Sequence, residues 1–236
     1  MIEFRGVTKQ FGAASVLRGV DLRVGRGRVT GLIGPNGAGK TTLIKILLGL
    51  AHPTGGEVLV DGVPIAGEDA YRAKIGYMPQ IARFPENLTA RELFDTVRGL
   101  RRDVTAVDDE MIEAFELAPH LDKPLRVLSG GTRQKVNASL ALLFRPPIFV
   151  LDEPTSSLDP LSSSLLKDKL LARRQDGATV LVTSHVMAEL EELCDDVALL
   201  LDGVVRFVGP VRELTAHTRQ ANLERAIASL MIREVA

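Results

Sequence analysis

Between residues 2 and 24 the apolar positions come in short runs separated by Gly6, Gly12, Gly19, Gly25 and Gly27, which predicts hairpin strands in an antiparallel β layer. Val29-Thr30-Gly31-Leu32-Ile33 carries no charge and reads as a buried strand; it passes through a loop with Gly34, Gly37 and Gly39 into a helical stretch at 40–50. Residues 57–60 and 63–65 flank Asp61-Gly62, a pair suited to a tight turn, and predict a second hairpin, with a further strand at 74–78. From 87 to 144 the period becomes helical with charged faces, as in Leu88, Leu93, Phe94 and Val97, then Met111, Ile112 and Phe115. Beyond it, strands at 148–151, 179–183 and 197–201 alternate with helices at 161–174 and 186–193, which argues for a parallel sheet covered by helices. Leu223, Ile227, Leu230 and Met231 share one helical face and predict a closing helix. The expected class is α/β: a mostly parallel sheet, an N-terminal antiparallel β layer and an inserted helical subdomain.

Composition narrows the functions open to this chain. Its 236 residues carry 29 Lys+Arg against 30 Asp+Glu, so no basic footprint for nucleic acid is present. The longest stretch free of Asp, Glu, Lys and Arg is 177–188, only 12 residues, where a membrane span needs about 18 or more. The chain is therefore expected not to span a membrane, and Glu3 and Arg5 interrupt any apolar signal segment. The single Cys194 excludes an internal disulfide framework, suits a reducing cytosol and reads as a small buried hydrophobe.

Gly34-Pro35-Asn36-Gly37-Ala38-Gly39-Lys40-Thr41 fits G-x-x-x-x-G-K-[ST] at the passage from a strand to a helix, the context in which that motif cradles phosphates. Glycines let backbone N–H groups curl around an anion, the helix N-terminus adds positive potential, and Lys40 supplies a charge to the β and γ oxygens. Thr41 would hold Mg²⁺. The bland alternative, a glycine-rich turn with an incidental lysine, fits the flanking strand and helix less well. No Asn-Lys-x-Asp sequence occurs, which argues against a guanine nucleotide.

Pro147-Ile148-Phe149-Val150-Leu151-Asp152-Glu153 is an apolar strand ending in two acids, which delivers both carboxylates to the C-terminal edge of the sheet, where α/β ligands bind. Asp152 can orient Mg²⁺ through its water shell and Glu153 can act as general base on an attacking water. Leu128-Ser129-Gly130-Gly131 precedes a helix with Val136, Leu140, Leu143 and Phe144 on one face. Ser129 and the amides of Gly130 and Gly131 could bind a phosphate, although the tetrapeptide alone reads better as a loop and helix cap.

Taken together and in this order, the motifs resemble those of the nucleotide-binding subunit of ATP-binding-cassette (ABC) transporters over nearly the whole chain. Residues 34–42, including Thr42, are similar to the family's Walker A, Gln80 to its Q-loop, 128–131 to its signature, 148–152 to its Walker B with Glu153 as catalytic acid, 157–159 with Asp159 to its D-loop, and His185 to its switch histidine. Departures are Phe11 where a Tyr often stacks on adenine, Thr132 after the signature where Gln is frequent, and Ser157 for the common Gly. Phe11 keeps a stacking face, and reads equally as a core aromatic of the hairpin. Asp159 followed by Pro160 also has the chemistry of a helix N-cap.

The resemblance implies a P-loop NTPase core at 1–86 and 145–209, a helical signature subdomain at 87–144 and a closing segment at 210–236, all within one nucleotide-binding domain. It implies an ATPase that binds ATP and Mg²⁺ between two subunits, in a homodimer, with the Walker motifs of one facing the signature of the other. Polytopic membrane permease subunits would dock near Gln80 to Pro85, with Phe84 as the best contact, while Phe94 and Phe115 read equally as helical core. The chain would then work at the cytoplasmic face of the membrane, and the lack of any appended regulatory segment within its length favours an exporter. A narrower likeness, in 77–85 and 128–137, is to the ATPase of the copper-related exporter serving nitrous-oxide reductase maturation. The alternative is a soluble ABC-type ATPase acting as a regulatory or assembly clamp.

Overall fold

The computed structural model describes residues 1–101, 104 and 107–235. Strands β1 (Ile2–Phe11), β2 (Ala14–Val24), β4 (Gly55–Val60) and β5 (Val63–Pro64) form an antiparallel sheet in the order β2-β1-β4-β5. Strands β3 (Val29–Ile33), β6 (Ile75–Met78), β7 (Ile148–Asp152), β8 (Thr179–Thr183), β9 (Asp196–Leu201) and β10 (Val204–Pro210) form a second sheet, ordered β10-β9-β3-β8-β7-β6. All pairs in it are parallel except β9 with β10.

The uncharged strands follow from burial on both faces, because successive side chains point to opposite sides. Phe149 and Leu151 of β7 join one core with Val180, Val182, Val197 and Leu199, and the helices pack there. Ile148 and Val150 face the other way, into a core shared with Leu32, Leu181, Ala198 and Leu200, the antiparallel layer and helix α1 (Lys40–Leu47). Gly6 and Gly19, which read as turn formers in the sequence, instead lie inside continuous strands at register shifts, where positive φ values of 56° and 89° accommodate bulges. Helix α1 ends earlier than its hydrophobic period suggests. Gly49 turns to φ 69° against Tyr71 and Arg72, which leaves Leu50 exposed.

The helical segment contains α2 (Ala90–Leu100), α3 (Glu110–Ala114) and α4 (Gly130–Leu142). A capping box between Thr89 and Glu92 starts α2, and Phe94 and Phe115 are core residues, not groove residues. Helices α5 (Pro160–Gln175) and α6 (Met187–Leu193) follow β7 and β8. Edge strand β10 and helix α7 (Val211–Thr218) were not apparent from periodicity, and α8 (Leu223–Val235) closes on α6 and α7, with Leu223, Ala226 and Ile227 buried. Cys194 is a partly buried hydrophobe packed against the core on the helix side of the sheet, and burial pushes its thiol well up. Among the described residues, no helix is long and apolar enough to cross a membrane.

The helical segment is joined to α5 by a cluster of charges. Buried Asp108 forms ion pairs with Lys169 at 3.1 Å, with Arg145 at 3.3 Å and with Arg173. Burial pulls the Asp108 carboxyl up, but hydrogen bonds from Lys169 and the Glu110 amide, with the charges of Lys169 and Arg173, hold it below its ordinary range. A depressed carboxylate contributes stability above its unfolded pKa of about 3.9, and that contribution is lost as pH falls through the lower folded value. Asp108→Ala, which takes the buried carboxylate from Lys169 and Arg173 and leaves them only the exposed Glu110 and Asp176, is expected to cost about 1–3 kcal/mol at pH 7 in urea denaturation, with the difference from wild type shrinking below about pH 4.

Candidate nucleotide site at the sheet edge

Strand β3 ends at Ile33 and α1 begins at Lys40, so the loop between them crosses the C-terminal edge of the parallel sheet. Two glycines are dictated by space. A Cβ on Gly34 would lie 2.2 Å from the Leu200 carbonyl oxygen, and one on Gly39 would lie 2.6 Å from Leu17 Cδ2. Gly39 also holds φ 108° as the residue preceding α1, so the first turn of that helix opens towards the loop. No acid occupies that turn. The Lys40 ammonium donates to the Gly34 carbonyl and, at 3.1 Å, to the Pro35 carbonyl. Burial pulls its pKa down, opposed by the charges of Glu153 and Asp152. A half-buried ammonium over a helix N-terminus forms a strongly positive floor suited to phosphate oxygens.

Facing it, β7 delivers Asp152 and Glu153, both buried. The Thr183 hydroxyl, at the end of β8, donates to Asp152 Oδ1 at 2.6 Å, and the Thr41 hydroxyl lies 3.4 Å from Asp152 Oδ2. Glu153 departs from the strand with φ 52°, a left-handed value for a non-glycine residue that the surrounding structure must hold in place. Its amide donates to the Thr183 hydroxyl at 3.0 Å. Its Oε2 accepts the His185 amide at 3.3 Å and stands 2.7 Å from His185 Nδ1. Pro35, Asn36, Gly37, Ala38, Gly39, Lys40, Thr41 and Thr42 line one cavity of about 620 Å³ with Gln80, Asp152, Glu153, His185 and Val16. That volume is ample for a nucleotide-sized ligand.

Ser129, Gly130 and Gly131 stand elsewhere. Ser129 caps α4, accepting the Thr132 amide at 3.1 Å, and Gly130 borders a separate cavity with Gln80, Phe84, Arg133, Gln134 and Ser157. Gln80 thus lines both cavities. Asp159 caps α5, accepting from the Ser162 amide and hydroxyl at 2.9 and 2.7 Å, and lies 3.1 Å from Lys135; those Ser162 bonds, with Lys135, hold its carboxyl far down. Phe11 is 54% exposed at the end of β1 with the Lys9 ammonium 4.7 Å from its ring centre, so it is not a core aromatic; it is not among the residues lining the 620 Å³ cavity. Sequence reading missed the groups that hold this site in shape. Thr183 could have been found as the one hydroxyl ending an apolar strand; Asn137, which donates to the Pro79 carbonyl at 2.8 Å and so anchors Gln80, carries no such signal.

A phosphate loop on β3 facing an acid pair on β7 defines a P-loop nucleoside triphosphatase fold and site. The family model described as ABC transporter matches residues 17–156. Over 207 residues the chain is 36% identical to a Nod factor export ATP-binding protein I of Burkholderia lata, covering 86% of this chain and 68% of that protein. It is 38% identical over 218 residues to the daunorubicin resistance ATP-binding protein DrrA3 of Streptomyces coeruleorubidus, covering 90% and 69%. Of solved structures, an ATP-binding subunit of an ABC transporter superposes with TM-score 0.91 at 29% identity, covering 98% of this chain and 99% of that one. A dimeric post-hydrolysis ATP-binding cassette bound to ADP and Pi superposes with TM-score 0.77 at 27% identity, covering 89% and 98%. The chain belongs to the ABC transporter family, as an ATPase subunit. The proteins named above lend no support to the narrower likeness to the nitrous-oxide reductase exporter.

Gly34→Ala tests the loop geometry, since its methyl would overlap a backbone carbonyl that cannot swing aside. It should lower stability by about 1–3 kcal/mol in thermal denaturation and weaken ATP binding by roughly tenfold or more in calorimetry.

Proposed function

We propose that this subunit powers a membrane exporter by binding MgATP between two copies of itself and hydrolysing it. The observation that carries this reading is the convergence of Lys40, Thr41, Asp152, Glu153 and His185 on one cavity. In it, Lys40 and the loop amides bind the phosphates. Thr41, Asp152 and Gln80 form an all-oxygen donor set of the kind that suits Mg²⁺, which when bound neutralises charge on the β- and γ-phosphates. Glu153 accepts a proton from water as its oxygen bonds to the γ-phosphorus and the bond to the β-phosphate oxygen breaks, releasing ADP and phosphate. His185, within hydrogen-bond distance of Glu153 Oε2, orients that base.

The dimer follows from what one chain leaves apart. The capping residues Ser129, Gly130 and Gly131 do not line the phosphate cavity, and a second copy would bring them, with Asp159, over the ATP held by the first. A dimeric relative bound to ADP and Pi supports that arrangement. Phe11, exposed at the end of β1, is available to stack on adenine. Permease subunits dock beside Gln80 to Pro85, where Phe84, half-buried, lines two adjoining cavities. That contact holds the subunit at the cytoplasmic face of the membrane. Export as the direction rests on the Nod factor export relative.

Glu153→Gln keeps the hydrogen-bonding shape but removes the base. It should retain ATP affinity, lose about 10²–10⁴ in kcat, and accumulate as an ATP-bound dimer by size-exclusion chromatography; phosphate release at the wild-type rate would refute the hydrolytic assignment. Phe84→Asp should reduce co-purification with a polytopic membrane partner by about tenfold or more while soluble ATP affinity stays within about twofold. Equal loss of both would mark a folding defect.

A further inference from the structure

We infer that Glu189 is a positioning residue for hydrolysis, a carboxylate that locks the segment after Glu153 to the segment bearing His185; the inference rests on the hydrolytic reading above. Glu189 lies in the first turn of α6, four residues beyond His185. Its Oε2 accepts the Thr155 hydroxyl at 2.7 Å and the Ser184 hydroxyl at 3.4 Å. Ser184 Oγ in turn accepts the Val186 amide at 3.0 Å, so the residues on both sides of His185 belong to the same bridge.

Thr155 follows Glu153 by two residues, and the turn between them is closed by the Ser156 hydroxyl and amide, which donate to the Glu153 carbonyl at 2.8 and 3.2 Å. At the reactive end the two segments meet again, through His185 and Glu153 Oε2. A single contact between two loops leaves a hinge, and a second contact a few residues away removes it. The strained φ of Glu153 makes that removal matter, because a left-handed non-glycine residue relaxes unless its neighbours hold it. Glu189 does not line the phosphate cavity, so its effect on the base passes entirely through Thr155 and Ser184.

The test compares Glu189→Ala, Glu189→Gln, Thr155→Val and the Glu189→Ala/Thr155→Val double variant of the full chain in steady-state ATPase assays. Glu189→Ala should lower kcat about ten- to a hundredfold, the cost of misplacing a catalytic group, with KM for ATP within about twofold of wild type. Glu189→Gln, whose amide oxygen still accepts from Thr155, should recover most of the rate. Thr155→Val should reproduce much of the loss, and the double variant should be little slower than Glu189→Ala alone, because Glu189→Ala already removes the Thr155 hydrogen bond. An unchanged kcat in Glu189→Ala, with Glu153→Gln inactive, overturns the bridge and leaves the hydrolytic reading standing. Parallel loss of ATP binding and melting temperature, or additive losses in the double variant, also overturns it. Wild-type turnover in Glu153→Gln overturns the hydrolytic reading instead.

Discussion

The parallel pairing of β3, β8 and β7 is the constraint on which the rest of this molecule depends. Parallel strands end together, so whatever follows each of them emerges on one edge, and here that edge receives the phosphate loop, Thr183 and the Asp152–Glu153 pair. The register places Asp152 opposite Thr183, and the 2.6 Å hydrogen bond between them joins residues 31 positions apart. A parallel sheet also needs cover on both faces. The antiparallel layer with α1 supplies one cover and the helical segment with α5 and α6 the other, which is why two cores alternate along every central strand.

On that edge, charge does work that apolar packing cannot. Lys40 is half-buried and held by backbone carbonyls, and two carboxylates stand across the cavity from it. Burial destabilises the ammonium while Asp152 and Glu153 favour it, so an arriving polyphosphate adds the counter-charge that the floor of the cavity lacks. Uncharged neighbours in turn restrain the acids: the Thr183 and Thr41 hydroxyls at Asp152 and the His185 amide at Glu153. Function here rests on a positive floor, a negative wall and hydroxyls that fix the distance between them.

The interfaces between segments follow a different logic. Asp108 binds the helical segment to α5 through buried ion pairs, whereas Asn137 ties α4 to the backbone ahead of Gln80 with one hydrogen bond. Gln80 lines both the cavity beside Phe84 and the phosphate cavity, so a partner seated in the first would bear on the same loop that borders the second.

The sequence by itself determined the strands and the chemistry. Uncharged runs at 29–33 and 179–183 mark β3 and β8 at both ends, because burying a charge on a strand covered on both faces is costly unless a partner meets it there. The glycine loop was legible because two of its glycines answer to steric overlaps that any side chain would create. Less was legible where identity and position come apart. Gly6 and Gly19 could be read only as breaks, since a bulge depends on the partner strand's register; β10 escaped because an edge strand is half-exposed and loses its period. The bridge from Glu189 to Thr155 and Ser184, the clamp on Asp108 and the anchoring of Gln80 by Asn137 were decided by tertiary structure alone. Each joins a polar side chain to a partner reached only by folding, and no local rule of spacing or periodicity records such a pair.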